Sequence, residues 1–176
     1  MLSNDISIMS EGIDRLGRKI PDTPRHLMVL ARLILILGRR LEERLATQLV
    51  PHGLNHSELV TLMFLYSRPD GMATPSELCA VTWERTSNMT RIGNALIGRG
   101  LILRGPSQID RRRVEIVITP AGCRLVRSMV PSMFGVLREL FDSFSAANLN
   151  RLDRLLVRLA GNVDRLDQAD AQAAKP

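Results

Sequence analysis

The chain has 176 residues, of which 45% are hydrophobic, and a formal charge of +6 from 24 basic and 18 acidic side chains. That size suits about one domain with a core of its own. The longest apolar tract, Leu27 to Gly38, is interrupted by Arg32 and falls short of the roughly 18 residues a membrane span needs, and MLSNDISIMSEG lacks the basic and apolar regions of a signal peptide, so a cytoplasmic protein without a membrane partner is expected.

From the N-terminus, Ile6, Met9, Ile13, Leu16 and Ile20 recur at steps of three and four, predicting a short amphipathic helix that Pro21 and Pro24 end. A longer helix is predicted from about Thr23 to Val50, with Leu27, Leu30, Ile34, Leu37, Leu41 and Leu45 on one face, stopped by Pro51 and Gly53. Asn55-x-x-Glu58 and Thr74-Pro75-x-Glu77 then mark two helix starts, the second as a capping box with proline at the first helical position. A third helix is predicted to start near Thr82 and close at Gly100, with Met89, Ile92 and Leu96 facing inward.

After Gly100 the period changes. LILR and VEIVIT read as strands, and GPSQIDRRR between them supplies turn residues and a basic tip of Arg111, Arg112 and Arg113. Thr119-Pro120 starts a long helix containing Pro131. Ser145 starts another, striped with Leu149, Leu152, Leu155, Leu156, Leu159, Val163 and Leu166. The expected fold is mainly α with a small β wing: a winged helix-turn-helix at 55-118, flanked by helices of a dimerisation region at 1-54 and 119-176. Long leucine stripes outside a small module point to a homodimer.

The charge is concentrated. Between Thr82 and Arg113 seven arginines stand against Glu84 and Asp110, the footprint of a polyanion-binding face. The start of the third helix offers Arg85, Thr86, Ser87, Asn88, Thr90 and Arg91. Arginine can meet guanine with two donors, asparagine can pair with adenine, and hydroxyls suit phosphates, so these residues point to double-stranded DNA. Cys79 and Cys123 form no C-x-x-C pair and read as core thiols. His52 and His56 have no companion ligands, and neither a metal nor a cofactor is expected. No catalytic pairing, P-loop or dinucleotide-binding glycine pattern is present, so an enzyme is not expected. Alternatives to a repressor are an activator, a redox-responsive regulator and a winged-helix protein-interaction module.

The run from Leu54 to Leu125, with SNMTRIGNALIGRGLILR and IDRRRVEIVITPAG, resembles the MarR family of bacterial transcription regulators, most specifically in the D-x-R pair Asp110 and Arg112. RTSNMTRI and the stretch near Pro131 are similar to the EmrR type, which regulates multidrug efflux. The resemblance implies a dimeric repressor on a palindromic operator, released by a small aromatic or phenolic effector. It also implies that Arg112 enters the minor groove, with Asp110 holding the wing by pairing with Arg104. A pocket between the long helices and the module is expected from Met28, Arg32, Met63 and Met133, with Arg32 as counter-charge; methionines at helical spacing also serve as core filler.

Overall fold

The computed structural model of the chain describes residues 2–106 and 114–173, with side chains from Ile6 onward. Asp110, Arg111, Arg112 and Arg113, and with them the expected Arg104–Asp110 pairing, lie outside the described residues. The chain divides into two compact units, Met1–Phe134 and Gly135–Pro176.

In the first unit, α1 spans Leu2–Lys19 and α2 spans Arg25–Leu49, followed by a single 3-10 turn at Val50–His52 where Pro51 stops the α-helical ladder. Both capping boxes form. Asn55 accepts from the Glu58 amide at 2.9 Å, and Glu58 returns a bond to the Asn55 amide at 3.0 Å, opening α3 (His56–Ser67). Thr74 and Glu77 do the same for α4 (Pro75–Thr82), with Pro75 in the first turn. The third helix of the module, α5, spans Thr86–Gly98 and not the range starting near Thr82. Thr82 is instead the last residue of α4, because Trp83 takes a left-handed conformation (φ 57°) and ends that helix.

The strands are β2 (Ile102–Pro106) and β3 (Val114–Ile118), antiparallel with Ile102 opposite Ile118 and Pro106 opposite Val114. A two-residue strand, β1 (Met72–Ala73), pairs on the other edge of β3 and makes the sheet order β1-β3-β2. The sequence reading expected only the hairpin. The core is one cluster in which Leu59, Leu62 and Leu65 of α3, Leu78 of α4, and Met89, Ile92 and Leu96 of α5 meet Ile102, Ile116, Val126 and Met129.

Helix α6 covers Pro120–Phe141 with Pro131 inside it. Its first turn is stitched to the strand side by Thr119, whose hydroxyl donates to the Gly100 and Leu101 carbonyls at 2.8 and 3.1 Å and accepts from the Gly122 amide at 3.0 Å. Gly122 sits so close that an added Cβ would lie 2.3 Å from the Leu101 carbonyl oxygen. At the other end of α5, Arg99 donates to the carbonyls of Gly53 and His52 at 2.8 and 2.7 Å, tying that helix to the turn after α2.

In the second unit, α7 spans Ala146–Ala173 and is opened by Ser145, whose hydroxyl accepts from the Asn148 amide at 3.2 Å. Its Leu155, Leu156, Leu159, Val163 and Leu166 are exposed in the single chain, as are Leu27, Leu30, Ile34 and Leu37 of α2. Among the described residues no helix is long and apolar enough to cross a membrane.

Candidate nucleic-acid interface

Helix α5 has two chemically distinct faces. Met89, Ile92, Gly93 and Leu96 are buried against the core, and this apolar stripe fixes the helix's rotation. The same rotation turns Arg85, Thr86, Ser87, Thr90, Arg91 and Asn94 outward, all exposed. Arg85 is the N-cap and provides no side-chain hydrogen bond to the helix start, unlike Asn55 and Thr74 at α3 and α4. The first-turn amides of α5 therefore keep their partial positive charge directed outward beside two guanidinium groups, an arrangement that favours phosphate.

Asn88 is half-buried and already engaged. Its amide donates to Glu84 at 2.5 Å, and its oxygen accepts from Arg91 Nε at 2.9 Å. Glu84 in turn accepts from the Ser57 hydroxyl at 2.6 Å. Ser57's hydroxyl first, and Asn88's amide second, hold the Glu84 carboxyl below the usual carboxylate range. The chain Ser57–Glu84–Asn88–Arg91 thus runs from α3 to the outer face of α5 and aims one arginine through three intermediates. From the sequence Asn88 and Arg91 are both expected at DNA, with no link between them and no role for Ser57 or the Glu84 carboxylate; the four-residue step from Glu84 to Asn88 is the signal that marks the pair. The Thr90 hydroxyl donates back to the Thr86 carbonyl at 3.0 Å, which leaves its oxygen lone pairs facing out.

Arg104 is exposed on β2, where its backbone pairs with Ile116. The four residues expected around an effector differ in burial. Met133 is buried in the core, Met28 is half-buried on α2, and Arg32 is exposed. Met63 alone of the four lines a groove of about 360 Å³, with Tyr66 and Ser67 of α3 and Val126, Arg127, Val130 and Pro131 of α6. The cation there is Arg127, whose guanidinium carbon lies 6.0 Å from the centre of the Tyr66 ring.

No protein-family model matches the chain. The transcriptional repressor MprA of Escherichia coli K12 is 30% identical over 148 residues, covering 84% of both chains. AbsC, a MarR family transcriptional regulator from Streptomyces coelicolor, superposes with a TM-score of 0.73 at 24% identity over 82% of this chain and 97% of its own. BpsR of Bordetella bronchiseptica, whose DNA binding is regulated by 6-hydroxynicotinic acid, superposes at 0.66 with 20% identity over 74% of this chain and 91% of its own. A helix-turn-helix with a three-stranded wing sheet, the outward polar face of α5, and this extent of identity to a repressor place the chain in the MarR family of transcriptional regulators.

Proposed function

We propose that the protein is a dimeric repressor that binds a palindromic operator with α5 in the major groove and is released by a small aromatic or phenolic acid. The single observation that carries the DNA reading is the outer face of α5: Arg85, Thr86, Ser87, Thr90 and Arg91 are all exposed while the opposite face is locked into the core. Arg91, aimed by Asn88, is the base-reading or phosphate-binding cation, and Arg111, Arg112 and Arg113 act from the wing. The exposed leucine faces of α2 and α7 support pairing of two copies through the regions 1-54 and 119-176 around the DNA-binding module 55-118.

The effector site is the groove between α3 and α6. Its volume of about 360 Å³ suits a single-ring ligand, Met63 and Val130 give apolar walls, and Arg127 takes the place first given to Arg32 as the carboxylate's partner. BpsR responds to a hydroxylated aromatic acid, which supports that ligand class. Binding releases the operator only if the ligand favours the dimer that does not bind DNA.

The test is fluorescence-anisotropy binding to duplex DNA selected from a randomised pool, with salicylate titrated into the complex. Dimeric binding reversed by salicylate is expected. Arg127→Ala should keep operator affinity and raise the salicylate concentration needed for release; if Arg32→Ala does this instead, the counter-charge belongs to α2. Failure of every pool duplex to bind overturns the reading.

A further inference from the structure

Trp83 is the chain's only tryptophan, and neither its backbone nor its side chain favours the fold. Its φ of 57° lies in the left-handed region that a bulky residue rarely enters and that glycine or asparagine occupies without strain. Its amide donates to the Cys79 carbonyl, so the conformation is the one that closes α4. The residue as a whole is 89% exposed, so its large side chain buries little against the rest of the chain. For folding alone, glycine is the better residue at this turn. A strained backbone carrying an unburied indole is compensated by something outside the chain.

The position says what that is. Trp83 ends the first helix of the helix-turn-helix, two residues before Arg85, the N-cap of α5. It lies beside the exposed Arg85, Thr86 and Ser87, and the nearest acid, Glu84, is occupied by Ser57 and Asn88. We propose that Trp83 is a DNA contact: its indole packs on the deoxyribose at the rim of the major groove, with its ring N–H donating to the adjoining phosphate. A ring with an apolar face and a polar edge suits that sugar–phosphate junction, and the contact carries no base preference. This rests on the DNA-binding reading above and adds a residue to it.

The sole tryptophan makes the test direct. Full-length protein is titrated with a duplex of about 30 bp, selected from a randomised pool. The emission of Trp83 should shift or quench on saturation. Trp83→Gly should bind the same duplex about tenfold more weakly, with equal loss on unrelated duplexes, while Tm stays level or rises. Trp83→Phe should fall between the two, keeping the packing and losing the N–H. Wild-type affinity in Trp83→Gly overturns the inference while leaving the DNA-binding reading intact. A fall in Tm alongside the lost affinity also overturns it, because Trp83 is then a residue of the fold. Dissociation of Trp83→Gly into monomers does so too, since the indole then belongs to an interface between copies. If the pool yields no duplex, both readings fail together.

Discussion

Asn88 donates its side-chain amide to Glu84, one turn earlier in the chain, at 2.5 Å, so the residue best suited by type to read adenine is held by a neighbouring carboxylate. Of its hydrogen-bonding capacity, one N–H faces Glu84 and one oxygen lone pair faces Arg91. A bidentate grip on adenine needs both edges, and in this arrangement each edge of Asn88 already has a partner within the chain.

It follows that Glu84→Ala and Asn88→Ala should act as one unit. Each should relax preference at the operator position facing Arg91, within the about 1–3 kcal/mol that a good side chain–base pair supplies. The double variant should lose little more than either single one. Randomised-site selection with all three proteins measures this, and additive losses would count against the alignment.

Binding should be dimeric and steeply dependent on salt. With several phosphates neutralised by each subunit, log affinity falls with log salt at about 0.9 per phosphate. Arg112→Ala should weaken binding across all sequences and lower that slope by about one per subunit. An unchanged slope in the variant would remove Arg112 from the phosphate contacts.

Gly122→Ala should be severely destabilising for so small a change. The added carbon would meet the Leu101 carbonyl oxygen at 2.3 Å and Ile118 Cγ1 at 2.8 Å, and one of those neighbours is backbone that cannot rotate away. A cost of about 1–3 kcal/mol is expected from such overpacking. Urea denaturation reads it; a loss below about 0.5 kcal/mol would mean that α6 shifts freely along the sheet.

Glu77 predicts a pH dependence. The backbone amide of Thr74 first, and its hydroxyl second, hold the Glu77 carboxyl below its ordinary 4.5. A depressed folded-state pKa contributes stability that is present above the unfolded value and lost as pH falls through the folded one. The Tm gap between the wild type and Glu77→Gln should therefore be largest above about pH 5 and close on acidification below 4.5. A gap that stays constant down to about pH 3 would show that the charge plays no part.

Features set by neighbours three or four residues apart were legible in the sequence. Asn55 with Glu58, Thr74 with Glu77, and the inward spacing of Met89, Ile92 and Leu96 all reappear, because capping and helical periodicity are local. The start of α5 was misplaced because tryptophan carries no signal for the left-handed turn it adopts at position 83. β1 was missed because two residues, Met72 and Ala73, become a strand only through pairing with Val117 and Ile116, far along the chain. The groove between α3 and α6 was not legible either. Met28 and Met133 have the right chemistry, but whether a methionine lines a groove or fills a core is decided by packing that no spacing encodes.

Arg99 pins the rear of α5, since its two bonds to the His52 and Gly53 carbonyls fasten that end of the helix to the turn after α2, while Glu84, bonded to Ser57 and Asn88, ties the front to α3. A helix of 13 residues is about 20 Å long, so a tilt of roughly 5° about that pin carries Arg85 and Arg91 sideways by about 1 to 2 Å. Hydrogen bonds to a base edge tolerate only a few tenths of an ångström. The helix that presents Arg85 and Arg91 is held at both ends, so a swing of that size has to break one of the two ties or carry its anchor along.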